Sequence, residues 1–494
     1  MLRVEKCDVV VVGGGSAAFE SAVSARQNGA ENIIILEKAP EEDFGGNARF
    51  SHTGFRFAYA GPEDIRYLIP DIDQSLFDRF HIPPYSPKHF LADLNRVTQG
   101  RINVDLATFM VEKSASAVHW MHDTGIIFEP EKNIEIDGKC YFEPGIIVHT
   151  KGGGLGQVLR WREIALEMGI EIRYQSQVTD LLGNLRKIEG VLVSNPNEDY
   201  ELLAPSTIIC SGGFQASSEM RARYLGSNAD LMRVRGSKYD TGEVLNMLVK
   251  LGAKTGGHWK GAHCTPIDAD APDGGVPLRE DGNTTGMNRY DYPHGITVNN
   301  LGQRFYDEGE ANHSYTYAKT GAAVLAQPGS TCHQIFDQKG LNLFRLGPEY
   351  TDNYIEAPTI KALAKEIGIQ PEVLVRTVDE YNAACSTDIP FDPSGPDGKT
   401  TVGLNPNKSN WAEPISESPY RAYRITGGVT FSFGGIQIDT NARILDTSDN
   451  PIKGLYASGD VIGLFFHNYP SCTGQTRNAV FSRQAGESAA RGTN

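Results

Sequence analysis

Val9-Val10-Val11-Val12-Gly13-Gly14-Gly15-Ser16-Ala17-Ala18 decides how the rest of this 494-residue chain is read. Four consecutive apolar residues fit a strand buried on both faces. The run Phe19 to Asn28 reads as a helix with Ala22, Val23 and Ala25 as small packing residues, and Gly29 ends it. Ile33 to Leu36 is a second buried strand, and Glu37 stands at its end, 24 residues after Gly13. This is G-x-G-x-x-A on a strand–turn–helix with an acid in register. Gly13 permits the tight turn, Gly15 lets backbone approach a pyrophosphate, and Ala18 lets the helix lie close to the strand. The helix N-terminus attracts the phosphate charge, with Ser16 and Ala17 in the turn before it. Glu37, with Lys38 beside it, is placed to bind a ribose diol. The element predicts dinucleotide binding.

Further glycine segments favour FAD over NAD, because a long cofactor lies across several strand ends. Gly45, Gly46 and Asn47 follow the acid closely. A second strand ends in Ser211, Gly212 and Gly213, and a third, Gly454 to Ala457, runs into Gly459 and Asp460. Val178 can offer its backbone to an adenine edge.

Elsewhere the pattern predicts a helix over 154–168 and strands of a small sheet at 171–175, 187–193 and 199–204. Asp240-Thr241-Gly242 caps a helix through Leu251. Residues 256–300 read as loop-rich and polar, 360–385 as a helical pair, and 387–410 as a long surface loop. The economical parse is an α/β chain in which a Rossmann-like FAD-binding domain, 1–255 and 412–494, is interrupted by an α+β capping domain, 256–411.

A net charge of −15 argues against nucleic acid and against an anionic membrane surface. No apolar run reaches the length of a membrane-spanning segment, and residues 1–6 lack the apolar stretch of a signal peptide. The seven cysteines are scattered without a Cys-x-x-Cys pair, so zinc ribbons, iron–sulfur clusters and c-type haem lack a ligand set. No metal is expected, and reduced thiols suit a cytoplasmic enzyme.

Several blocks carry a family resemblance: Gly45-Gly46-Asn47-Ala48-Arg49-Phe50, Phe55-Arg56-Phe57-Ala58-Tyr59, Trp259-Lys260-Gly261-Ala262-His263, Arg304-Phe305-Tyr306-Asp307-Glu308-Gly309-Glu310, Tyr317-Ala318, Thr430 to Gly435, Asn468-Tyr469 and Phe481 to Gly486. In this order, across nearly the whole chain, they resemble the flavoprotein superfamily of fumarate reductases, succinate dehydrogenases and 3-ketosteroid desaturases. The likeness is greatest to the tricarballylate dehydrogenase-like branch. The resemblance implies non-covalent FAD, a mobile cap over the flavin ring, and transfer of two hydrogens across a C–C bond next to a carbonyl or carboxylate. Ser51-His52-Thr53 is similar to the Ser-His-Thr that carries covalent FAD in succinate dehydrogenases but is offset by one position, which leaves covalent attachment at His52 the lesser alternative.

Site residues follow from the same resemblance. Thr473, Gly474 and Thr476 open a helix aimed at the flavin pyrimidine. Tyr469, with His467 nearby, resembles the ketone-polarising tyrosine of ketosteroid desaturases, although the glycines of that segment are absent. Fumarate reductases place an arginine proton shuttle where this chain has Glu308 to Tyr317 and no arginine. His313 is the nearest titratable group there, with Tyr315 and Tyr317 as neighbours. Phe431 replaces a histidine of the fumarate reductases. His263 lies in a matched block, and Arg56, Arg304 and Arg477 are cations able to hold a carboxylate. The expected substrate is a small organic acid. A cyclic ketone is the alternative, and a non-catalytic flavin-binding protein is the third reading. No second nicotinamide fingerprint follows a strand, so electrons are expected to pass to or from another protein, a quinone or oxygen.

Overall fold

The computed structural model describes residues 2–274, 287–343, 350, 353–393 and 395–492. The quoted stretch forms the strand Val9–Val12 and the helix Ser16–Gln27, followed by the strand Ile33–Leu36. The helix begins three residues before the expected Phe19. Gly15 itself, extended at φ −84° and ψ 179°, is its N-cap, so the turn passes straight into the first helical turn.

Among the described residues, ten strands make the larger sheet. Its centre is parallel: Pro451–Ala457, Ser206–Ile209, Val9–Val12, Ile33–Leu36 and Glu171–Arg173 lie side by side. Strands Lys187–Ser194 and Asp199–Leu203 extend the same sheet, and Gln177–Asn184 pairs with the former. Lys187–Ser194 and Asp199–Leu203 pair with each other as expected and meet the parallel centre through Lys187 and Lys453. Glu171–Arg173 joins that centre instead of them, because alternating burial marks a strand but does not name its partner. The chain leaves Val9–Val12 toward neighbours on both sides, and a crevice opens at the carboxyl ends of these strands, where such sheets bind ligands.

The C-terminal helix Thr473–Gly492 packs along the first helix. A Cβ at Gly486 would lie 2.3 Å from the Ser21 carbonyl, so this contact requires glycine. The helices Gly153–Glu167, Glu243–Leu251, Ile360–Glu366 and Pro371–Ala384 match the expected ones within a residue or two.

A second sheet of six strands centres on Tyr420–Ser432, flanked by Arg233–Val234, Cys332–Phe336 and Ile296–Asn299. Strand Ala262–Asp268 pairs with Tyr420–Ser432 and packs under helix Tyr317–Leu325. Residues 256–300 are thus not all loop. His263, Thr265 and Asp268 are polar yet buried, which hid this strand from a hydropathy reading. The part of that stretch at 275–286 lies outside the described residues. Residues 387–410 contain no described helix or strand, but Thr401 and Lys408 are buried, and Lys408 Nζ donates to the Gly295 carbonyl at 2.8 Å, so this segment is tied into the fold rather than lying wholly on its surface. The second sheet takes in 233–234 and 420–432, beyond the limits of the 256–411 interval.

Candidate active site

The crevice is a cavity of about 890 Å³, part of it open to solvent. Its walls include Gly13, Gly15, Ser16, Ala17, Glu37, Lys38, Gly46, Asn47, Val178, Ser211, Gly212, Gly459 and Asp460, so most of the sequence-derived cofactor residues converge here. Gly13 has φ +119°, and a Cβ on it would lie 2.3 Å from the Cys210 carbonyl oxygen, so the turn itself demands glycine. Gly15 is different. A Cβ there would meet only the Gly45 carbonyl, at 3.5 Å, an ordinary contact. The protein leaves space in front of Gly15 that its own fold does not need. The helix behind it has no side-chain cap and no acid in its first turn, and the buried Ser16 hydroxyl has no partner. Free N–H groups, a helix dipole and an orphaned hydroxyl suit a pyrophosphate.

Glu37 is buried, and burial pushes its carboxyl above the usual range although the Ala39 N–H donates to it at 2.6 Å. Lys38 is held by Thr241 and Glu243. The Asn47 amide ties the turn Gly46–Phe50 to the second sheet: it donates to the Thr430 carbonyl and accepts from Ser237 N–H at 2.8 Å. Gly45 takes φ +109° and sits against Val158 rather than in the cavity wall. Ala18 is fully buried behind the turn. Gly213 faces the Ser432 hydroxyl of the second sheet. Sequence reasoning read Asp240 only as part of a helix cap. Fully buried in the cavity wall, it accepts from Gln215 at 2.9 Å, and burial, with Asp460 nearby, pushes its carboxyl up to about 8.

The second half of the site is built from side chains. The Tyr317 and Tyr469 hydroxyls hydrogen-bond at 2.9 Å, and Tyr317 also reaches the Ser471 hydroxyl at 3.3 Å. The buried His263 ring stacks on Phe431 at 5.2 Å and meets Tyr317 and Tyr469 edge-on at 4.9 and 5.2 Å. Burial holds His263 well below its usual range, so it is neutral, and its Nδ1 has no partner. Burial likewise pushes both tyrosine hydroxyls well above the phenol range, so both carry their protons. Thr473, Gly474 and Thr476 begin the C-terminal helix beside this cluster. Gly474 faces the edge of Phe431, and the Thr476 hydroxyl donates to the Arg56 carbonyl at 2.6 Å.

Arg56 is fully buried. Its Nε donates to the Ser471 carbonyl at 3.0 Å and its Nη1 to the Pro144 carbonyl, Tyr85 and Tyr315, while its Nη2 has no partner. Tyr315 and Tyr85 both donate to Asp93. Two other cations are already engaged: Arg477 pairs with Asp460 and lies over Phe431, and Arg304 pairs with buried Glu308 and lies over Tyr381, outside this cluster. His313 is exposed and joins the cluster only by stacking on Tyr290 at 5.8 Å and lying 6.4 Å from Tyr317. His467 lies 5.0 Å from His258, and its N–H donates to His258 Nδ1, away from the tyrosine pair. Ser471 and Tyr290 were given no role from the sequence: Ser471 replaces a glycine of the segment that Tyr469 opens, and Tyr290 stands in no motif and is brought here by the fold.

A crevice at the carboxyl ends of the parallel strands, with a buried tyrosine and histidine cluster at the start of the C-terminal helix, defines a protein of the α/β type. The model of the FAD binding domain family matches residues 8–475, and the chain belongs to that family, within the FAD-dependent fumarate reductase and succinate dehydrogenase flavoprotein superfamily. A fumarate reductase (cytochrome) of Shewanella frigidimarina is 28% identical over 505 residues, covering 98% of this chain and 77% of that protein. A 4-oxocyclohexanecarboxylate 2-dehydrogenase of Sinomonas cyclohexanicum is 30% identical over 541 residues, covering 92% and 87%. The solved 3-ketosteroid delta1-dehydrogenase from Sterolibacterium denitrificans shares the fold, with a TM-score of 0.74 at 19% identity over 99% of this chain and all of that one. FAD is the cofactor of this family, and the free first turn and the unneeded space at Gly15 fit it. Among the described residues, no helix is long and apolar enough to cross a membrane.

Proposed function

We propose that the protein is an FAD-dependent oxidoreductase that adds or removes two hydrogens across a C–C bond alpha to the carbonyl or carboxylate of a small organic acid. The observation that carries this reading is the hydroxyl pair Tyr317–Tyr469, packed on neutral His263 at the start of the C-terminal helix. FAD, when bound, supplies the acceptor or donor of a hydride. The protein must then handle a proton at the neighbouring carbon and hold the activating oxygen. Tyr317 is the proton-carrying residue: in the reducing direction it gives its proton to the carbon. In the other direction its oxygen takes the carbon's proton as its own hydrogen passes along the bond to Ser471, whose hydrogen moves on in turn. Tyr469 donates to the substrate oxygen, and His263 keeps both rings in place. Arg56 is also paired, with Asp93 at 3.8 Å, but its buried Nη2 has no hydrogen-bond partner and is the donor this reading gives to a carboxylate. The N-terminus of the helix Thr473–Gly492 would favour negative charge on a flavin ring held beside it.

In this reading the larger sheet belongs to a Rossmann-like FAD domain and 256–411 to a cap, whose sheet also takes in the strands at 233–234 and 420–432. Asn47, in the turn that follows the acid Glu37, bonds to Thr430 of that second sheet. A small-molecule substrate and a separate electron donor or acceptor complete the reaction, in the cytoplasm. The tyrosine pair favours a second reading, desaturation of a cyclic ketone, because a neutral hydroxyl polarises a ketone without a countercharge. The similarity to a dehydrogenase named for a cyclic keto acid supports this too. Anaerobic mixing of the FAD-loaded protein with unsaturated and saturated organic acids and with cyclic ketones decides between them. Flavin bleaching by a saturated acid, or reoxidation of the reduced flavin by an unsaturated one, supports the first reading. A response to ketones alone supports the second. No response to any of them, at full FAD occupancy, leaves a flavin-binding protein without this activity.

A further inference from the structure

We infer that His52, Glu131 and His149 form a binding site for one divalent transition-metal ion of the zinc type. They stand on three neighbouring segments of a small antiparallel sheet. His52 precedes strand Gly54–Arg56, Glu131 follows Phe128–Pro130, and His149 lies within Ile146–Thr150. Gly54 and Glu129 both pair with His149 in register, which fixes the spacing of the three side chains.

One ligand atom from each residue lies within 4.8 Å of the others. Glu131 is the centre. Its Oε1 accepts from the Lys132 N–H at 2.8 Å and meets His52 Nε2 at 2.7 Å. Its other oxygen, Oε2, is buried and has no partner, and it faces His149 Nδ1 at 4.0 Å, also buried and without a partner. The opposite ring nitrogen, His149 Nε2, lies 4.0 Å from the Glu129 carboxylate. A carboxylate thus lies 4.0 Å from each ring nitrogen, and with the proton on Nε2 the Nδ1 lone pair is the one that faces Glu131. Two lone-pair atoms then face each other across a gap too wide for a hydrogen bond, and a buried pair of this kind calls for a cation between them. Zinc bonded at its usual lengths to two nitrogens and an oxygen holds them about 3.3 Å apart. The separations of 2.7 and 4.0 Å bracket that value, so modest ring rotations close the site. Two imidazoles and one carboxylate suit zinc and similar ions, and His52, 42% exposed, leaves a face open for entry and for a water ligand. A bound ion would tie together three strands next to the first turn of the C-terminal helix, since Gly54 lies against both Glu131 and Cys472.

The inference stands apart from the proposed reaction and is tested on the FAD-loaded, untagged protein. After removal of metal by a chelator and dialysis against Zn2+, mass spectrometry of elements should find one zinc per chain. Glu131→Gln and His149→Ala should each lower the affinity at least tenfold, and His122→Ala, whose ring lies beside Asp123 instead, should leave it unchanged. Should a variant fail to fold, Co2+ added to the unaltered protein still decides. Visible bands of nitrogen and oxygen ligation support the site. Intense sulfur charge-transfer bands mean binding at cysteine and overturn it. So does zinc retention no greater in the unaltered protein than in Glu131→Gln.

Discussion

The nucleotide cavity and the tyrosine cluster, the chamber of the proposed reaction, are built on opposite principles. The cavity is made mainly of backbone: Gly13, Gly15, Gly212 and Gly459 shape it, and its binding groups are N–H donors at a helix start. The chamber is made of side chains from distant segments. Tyr317 and Tyr469 are 152 positions apart, and Arg56 meets Ser471 across 415. The difference teaches that affinity for the cofactor and chemistry on the substrate should be separable by mutation.

The largest effect tests the backbone half. Gly15→Ala should lower FAD affinity by about 100-fold or more, because the added methyl occupies the approach of the pyrophosphate. Unfolding of the FAD-free protein should change by no more than about 1 kcal/mol, since that methyl meets only an ordinary contact. Equal loss of apoprotein stability would mean that Gly15 serves the fold and not the ligand. In the chamber, Tyr317→Phe should slow flavin reduction by substrate by about 10² to 10⁴ while the visible spectrum of bound FAD persists. Stopped-flow spectroscopy measures both, and loss of FAD from this variant would break the separation of the two halves.

Asp240 sharpens the comparison through pH. Its carboxyl is pushed from an ordinary 3.8 up to about 8 by burial, so the folded protein keeps it protonated where the unfolded chain does not. A raised folded pKa contributes stability that is complete below about 4 and lost as pH rises toward 8. Urea unfolding of the FAD-free protein at pH 5 and 8.5 should show that loss. Asp240→Asn, which still accepts from Gln215, should reduce it. Identical pH slopes would mean that the carboxyl is not protonated in the fold. The smallest effect belongs to His313. It is exposed and touches Tyr290 rather than the hydroxyl pair, so His313→Ala should slow flavin reduction less than about tenfold. A loss matching that of Tyr317→Phe would move the proton-carrying role to His313.

The sequence by itself determined the glycine turn, both strands beside it, the helix it opens and most of the cofactor wall. These depend on local rules: φ at Gly13, the N–H groups of a first turn, and small residues where backbones meet. Tertiary structure alone decided which strands joined the main sheet, that Arg304 and Arg477 are held by Glu308 and Asp460, that Asp240 lines the cavity, and that Tyr317 meets Tyr469. It also gathered His52, Glu131 and His149, whose spacing of 79 and 18 residues matches no ligand motif. The reason is physical. A backbone site is written in consecutive residues because it needs only their dihedral angles, whereas a side-chain site needs groups brought together by long-range packing, which no local pattern records.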